Sequence, residues 1–301
     1  MPRLSRHQIL QHVSPRIQRY FTELGQRVLT LEDLGQILAA HGEGWTLAKA
    51  TTLEDFASFL VKRKILQEIV VTLPYGKTRR FLFQEASVYE VAASLRKGHY
   101  LTHFTALYLH ALVNDVPKII YTNLEQTEKP AQSRDALAQE NIDRAFARPM
   151  RRTTHVAEFV LNGESHNVYL LNGKNVHKVG VIALDYAGRT FPVTSIERTL
   201  IDITVRPEYA GGVDTVFAAY QAAKGRCSIN RLVAYLKTMN YVYPYHQAVG
   251  FYLEQAGYPV SAIALLKRLP IAHKFYLTYQ MPEKRFSEQW SLFYPEGIFP
   301  S

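Results

Sequence analysis

The chain has 301 residues, of which 47% are hydrophobic and 12% aromatic, and it carries a formal net charge of +9. Such a composition excludes a disordered chain, is enough for two separate cores, and points to polyanionic partners. A single cysteine, Cys227, excludes an intramolecular disulfide and a cysteine-based metal cluster. No apolar run reaches bilayer length, and Met1-Pro2-Arg3-Leu4-Ser5 leads into no secretory segment. The expectation is a cytoplasmic protein with no membrane association, metal or other cofactor.

In chain order, Ser14-Pro15 reads as an N-cap followed by proline at the first helical position, with Ile17, Tyr20, Phe21 and Leu24 as the inner face. A second helix opens at Thr30 with Asp33 three residues on, and it carries Leu31, Leu34, Ile37 and Leu38 on one side. After the polar break His41-Gly42-Glu43-Gly44 and a long connection holding Trp45, Thr52 and Asp55 open a third. Its stripe is Leu53, Phe56, Ala57 and Leu60, and it ends in Lys62-Arg63-Lys64. Two β-rich runs around Pro74-Tyr75-Gly76-Lys77 complete a basic hairpin with Arg79-Arg80 on its return strand.

Helix, helix and basic hairpin together predict a winged helix-turn-helix over residues 30–85, inside an N-terminal domain of residues 1–95. Residues 1–100 hold fourteen Lys or Arg against nine Asp or Glu, so this third supplies most of the positive surplus. Lys62, Arg63, Lys77, Arg79 and Arg80 are the predicted phosphate neighbours, while Thr52 and Ser58 are predicted to reach bases. Glu54 and Asp55 oppose phosphate at the start of the third helix, although capping accounts for Asp55. The same elements also suit a protein-interaction module that has lost DNA.

Residues 87–96 read as a connecting helix. Residues 96–301 then form a second domain that opens with a helix from His103 and a strand around Ile119-Ile120-Tyr121. Glu128-Lys129-Pro130 and Ser133 mark a loop, and Arg144 and Arg148 lie four apart on a helix read from Asn141. With Arg151 and Arg152 they make a second basic cluster able to contact phosphate. Residues 156–186 alternate as strands broken at Asn162-Gly163, Asn172-Gly173 and Ala187-Gly188, predicting a small, mainly antiparallel sheet. The last hundred residues read as mainly helical, at Ile196 to Val205, Val213 to Ala223, Ile229 to Met239, Tyr245 to Ala256 and Val260 to Leu266. The fold class is α+β: an N-terminal winged helix-turn-helix and a C-terminal mixed α/β domain with several helices.

The densest local pattern is Val193-Thr194-Ser195-Ile196-Glu197-Arg198-Thr199-Leu200-Ile201-Asp202, where Thr194 and Glu197 suit a capping box and Arg198 can pair with Asp202 one turn on. Together with Arg206-Pro207-Glu208-Tyr209-Ala210-Gly211-Gly212, the phrase resembles the AbiEi family of bacterial antitoxins and transcriptional regulators. Tyr100-Leu101-Thr102-His103-Phe104, Val116-Pro117-Lys118-Ile119-Ile120-Tyr121 and Gly250-Phe251-Tyr252-Leu253-Glu254-Gln255-Ala256-Gly257-Tyr258 resemble it in the same order. The resemblance implies a repressor of its own operon that binds inverted repeats in double-stranded promoter DNA and counteracts a cognate nucleotidyltransferase-like toxin. It leaves room for dimerisation on DNA.

Enzyme motifs are sparse. His155, His166 and His177 have no Cys or carboxylate at ligand spacing and read as exposed strand residues. A Mg-dependent nuclease fused to a DNA-binding domain is the alternative, with Glu158, Asp185 and Lys174 as its nearest candidates, but Asn172 stands where such a site needs a carboxylate. Cys227 reads as an ordinary small residue. The expectation is a protein without catalytic residues.

Overall fold

The computed structural model describes residues 6–127 and 137–299. The loop read at Glu128-Lys129-Pro130 and Ser133, and the start of the chain, lie outside the described residues. The chain divides into two compact units, Met1–Lys97 with His155–Val168, and Gly98–Thr154 with Tyr169–Ser301.

The first unit begins with α1 (Arg6–Leu24), which encloses Pro15 instead of starting at it. Leu10, Val13, Ile17 and Phe21 are all buried on one stripe, so the core contact extends the helix past the hydrogen bond that proline cannot make. A short strand β1 (Val28–Leu29) leads to α2 (Leu31–His41) and then α3 (Leu53–Lys62). Both helices close the expected capping boxes, Thr30 with Asp33 and Thr52 with Asp55. The long connection between them is anchored by Trp45. Its ring is buried, lies 5.4 Å from His41 and 5.5 Å from Tyr20, and packs toward Phe56.

Strands β2 (Leu66–Leu73) and β3 (Gly76–Phe83) form the basic hairpin, and α4 (Val88–Ala93) follows with Ser87 as its cap. The hairpin pairs Leu73 with Gly76, which leaves Pro74 and Tyr75 as a two-residue tip.

The chain enters the second unit with β4 (Tyr100–Leu101), α5 (His103–Leu109), β5 (Ile119–Glu125) and α6 (Gln139–Phe146). It returns to the first unit for β6 (Val156–Leu161) and the start of β7 (Glu164–Gly173), residues that the sequence reading placed with the C-terminal strands. In that unit the strands run β1-β3-β2-β6, with Val71 opposite Phe159.

Asn162 and Gly163 both have positive φ, as a tight hairpin requires, and so do Ala187 and Gly188 between β8 (Val181–Tyr186) and β9 (Arg189–Thr194). Asn172-Gly173, in contrast, is not a turn. It belongs to β7, and Gly173 is needed because a Cβ there would meet the Asn123 side chain at 2.8 Å.

The rest of the second unit is α7 (Ile196–Val205), a 3-10 turn at Pro207–Ala210, α8 (Val213–Ala222), α9 (Ile229–Met239), α10 (Tyr245–Gln255) and α11 (Val260–Lys267). Three short strands follow, in a stretch to which the sequence reading assigned no element: β10 (Phe275–Tyr276), β11 (Lys284–Ser287) and β12 (Leu292–Pro295). They form a separate sheet in the order β10-β12-β11, mixed because β10 runs parallel to β12.

The expected small antiparallel sheet is therefore larger and mixed. Strands β5-β4-β9-β8 neighbour one another in that order, and β4 meets β9 in parallel. The helices enclose one large core centred on Tyr220, Tyr252, Phe251 and Trp290.

Candidate nucleic-acid interface

The α3 cap is made by Thr52, whose hydroxyl accepts from the Asp55 amide while Asp55 accepts from the Thr52 amide. Apolar residues at Phe56, Ala57, Phe59 and Leu60 seat the helix on the first core. This rotation leaves Ser58 and Lys62 exposed, with Arg63 and Lys64 exposed just past the helix end. The Arg63 guanidinium rests 5.8 Å from the Phe59 ring, and Lys64 takes a positive φ of 55° as the chain turns into β2.

The two hairpin arginines have separate fates, because adjacent strand residues face opposite sides. Arg79 is half-buried, and its guanidinium donates to the Glu54 carboxylate at the start of α3. Glu68 lies 3.7 Å away, and these carboxylates, the Glu54 hydrogen bond first, raise the Arg79 pKa. Glu54 is thus balanced by a cation instead of facing phosphate unopposed.

Arg80 corrects the sequence reading: it is only 5% exposed and is not a phosphate neighbour. Its donors go to the Ser94 hydroxyl at 3.0 Å, the Thr78 hydroxyl at 2.9 Å, and the carbonyls of Arg79 and Ser94. Burial lowers its pKa, and the side chain pins the hairpin to the end of α4.

Lys77 at the hairpin tip is exposed. Beside it are two residues that the sequence reading did not select. Tyr75 is 64% exposed, and Arg96 lies 5.7 Å from its ring with Nε donating to the hydroxyl at 3.4 Å. An aromatic at a two-residue tip, twenty-one positions before an arginine, was the available signal. At the end of α3 and at the hairpin tip the accessible cations are accordingly Lys62, Arg63, Lys64 and Lys77, joined by the Tyr75–Arg96 pair; Arg16, Arg19, Lys49 and Lys97 are also exposed elsewhere in the unit.

A depression of about 540 Å³ lies over β2 and β6, lined in part by Val70, Val160, Glu68 and Glu158. Its two carboxylates repel phosphate, so it does not extend the basic surface.

In the second unit the predicted arginine cluster is only partly assembled. Helix α6 ends at Phe146, so Arg144 is on it and Arg148 lies beyond it, both exposed. The Arg151 carbonyl accepts from the Arg206 guanidinium at 3.0 Å, and Arg152 is held by Glu208 at 2.7 Å. That hydrogen bond raises the Arg152 pKa, and it reduces the charge left for phosphate.

The conspicuous sequence motif builds a buried polar centre. The cap of α7 is Ser195, not Thr194 with Glu197. Thr194 turns inward to the Thr199 hydroxyl at 2.8 Å, and Glu197 accepts from the Ser228 amide at 3.0 Å. Arg198 pairs with Asp202 at 2.8 Å as expected, and it also donates to the Val179 carbonyl and to the Tyr100 hydroxyl.

Burial alone would lower the Arg198 pKa, but Asp202, Tyr100 and Tyr241 together raise it, so the guanidinium stays charged. Gly180 admits it: a Cβ there would lie 2.7 Å from that of Arg198. Thr102 donates to the other Asp202 oxygen at 3.1 Å and contacts His103 Nδ1 at the same distance. Burial lowers the His103 pKa from 6.5 to about 4, so its ring is neutral.

Of the nuclease candidates, Lys174 and Asp185 are each engaged within the second unit. Lys174 Nζ donates to the Met239 and Asn240 carbonyls, and Asp185 accepts from Thr190. His155 and His177 are exposed, whereas His166 is half-buried against Phe159. Burial, with the Glu197 carboxylate, pushes the Cys227 thiol up to about 12, which makes it a poor nucleophile. Among the described residues, no three His, Cys, Asp or Glu side chains are grouped to hold a metal, and no helix is long and apolar enough to cross a membrane.

No known protein family matches the chain, and no curated protein does. The chain is similar to the crystal structure of the Rv2827c protein from Mycobacterium tuberculosis, with 16% identity and a TM-score of 0.56. The match covers 94% of this chain and 91% of that one, and at this identity it shows the fold alone.

Proposed function

We propose that the first unit is a winged helix-turn-helix that binds duplex DNA, with α3 as recognition helix and the β2–β3 hairpin as wing. The observation that carries this reading is the placement of four accessible cations, Lys62, Arg63, Lys64 and Lys77, at the end of α3 and at the hairpin tip. Phosphates at these cations fix the protein on the duplex, and Ser58, exposed on α3, reads base edges. Thr52 contributes less to base reading than sequence suggests, because its hydroxyl is occupied by the cap.

Function as an antitoxin and self-repressor follows from the resemblance of the second unit's motifs to AbiEi proteins, with a nucleotidyltransferase-like toxin as the counterpart. Those motifs support a structural role in this chain, since Arg198 and Asp202 are spent on the interior. This agrees with a protein that acts by binding and not by catalysis. The test is fluorescence anisotropy of the full-length protein on DNA from its own promoter and on unrelated duplex. Binding at least about tenfold tighter to the promoter is expected, and equal affinity for both would reject a specific repressor. Growth rescue on co-expression with an adjacent nucleotidyltransferase tests the antitoxin role separately.

A further inference from the structure

We infer that β8 is a self-association edge, through which two copies of the chain pair antiparallel about a two-fold axis at Ala183. Four described strands have a single hydrogen-bonded neighbour: β1, β8, β10 and β11. Strands β1 and β10 are two residues long, and β11 carries Lys284 and Arg285. Short length and cationic side chains are the usual protections of an open edge. Strand β8 has neither. It runs six residues, Val181-Ile182-Ala183-Leu184-Asp185-Tyr186, with no proline and no Lys or Arg, and Ile182 is 39% exposed.

The register identifies which backbone groups are open. Val181 lies opposite Thr194 and Ala183 opposite Pro192. The Ser195 amide donates to the Gly180 carbonyl at 2.7 Å, so Gly180 is in a hydrogen-bonded pair, and by alternation Ile182, Leu184 and Tyr186 also face β9. Pro192, which has no N–H to give, falls at a position that needs none toward β8. The amides and carbonyls of Ala183 and Asp185 therefore point away from β9, on the side where no further strand follows among the described residues.

Self-pairing is favoured over capture of an unrelated strand because the segment is complementary to itself. Centred on Ala183, an antiparallel pair sets Ile182 of each copy opposite Leu184 of the other, on one face of the ladder. It also sets Val181 opposite Asp185. The small alanine side chain meets its own copy at the axis, and the two Asp185 carboxylates lie about 13 Å apart along the strands, too far for strong repulsion. Asp185 also already accepts from the Thr190 hydroxyl. An isologous contact of this kind closes as a dimer and does not propagate.

The inference is independent of nucleic-acid binding, and its test contains no DNA. Sedimentation velocity of the full-length protein at rising concentration should show a reversible monomer–dimer equilibrium below about 100 µM. Ala183→Pro removes an outward amide without costing a bond to β9, and Ile182→Lys places a charge on the apolar row. Each should weaken the dimer by about tenfold or more while circular dichroism stays unchanged. Hydrogen exchange at the Ala183 and Asp185 amides of the unaltered protein should slow as concentration rises, a readout that holds even if Ala183→Pro misfolds. A protein that stays monomeric throughout, variants that dimerise as before, or exchange at those amides that ignores concentration would each overturn the inference.

Discussion

The two units spend their charges in opposite ways. In the first, Lys62, Arg63, Lys64 and Lys77 are left on the surface, while Glu54, at the start of α3, is occupied by Arg79. In the second, Arg198, Asp202 and Glu125 are all nearly buried and satisfy one another and the backbone around them. A charge committed to a folded network has little left to offer a ligand. On the proposed reading, recognition belongs to the exposed cations of the first unit, while the buried network of the second holds its own fold together.

Breaking the buried network should have the largest effect. Asp202→Ala leaves Arg198 charged and without its closest partner, and the expected loss is about 3–5 kcal/mol of stability in chemical denaturation. A loss below about 1 kcal/mol would mean that the pair is not structural.

Next is the acid response of His103. Its folded pKa, about 4, lies below the ordinary 6.5, so the neutral ring stabilises the fold above pH 6.5 and that contribution is lost as pH falls toward 4. The loss is up to about 3 kcal/mol, and His103→Gln should flatten the stability curve in this window. An unchanged curve would assign acid sensitivity to other groups, among them His110 and His246, which burial also lowers. The smallest effect should come from Thr52→Ala, which removes the α3 cap for about 1 kcal/mol and leaves the second unit's core unchanged.

How much of this was legible in the sequence depends on how local each cause is. The caps of α2 and α3 need only Thr and Asp three residues apart, and both formed as read. The α7 cap shifted by one because Thr194 found Thr199 inside the core, a partner that local spacing does not reveal. Asn172-Gly173 carries a hairpin signature, yet close approach of Asn123 is what requires the glycine. Strands β10 to β12 are short and aromatic, and Trp290 seats them against Gly250 in α10, a contact between distant segments.

The Arg79–Arg80 pair is the instructive error. Two neighbours on a strand cannot both face solvent when one side is a core, so period-two alternation already allowed only one of them to remain accessible.

The most direct test of the central claim, that the accessible cations and not the sequestered ones hold DNA, is the salt dependence of promoter affinity for two charge-altered proteins. Lys62→Ala with Lys77→Ala should flatten the log–log slope by about 2 units, whereas Arg80→Met, a buried position, should leave it parallel to the unaltered protein. An unchanged slope for the lysine pair, or an equal flattening for Arg80→Met in a protein that remains folded, would contradict the account.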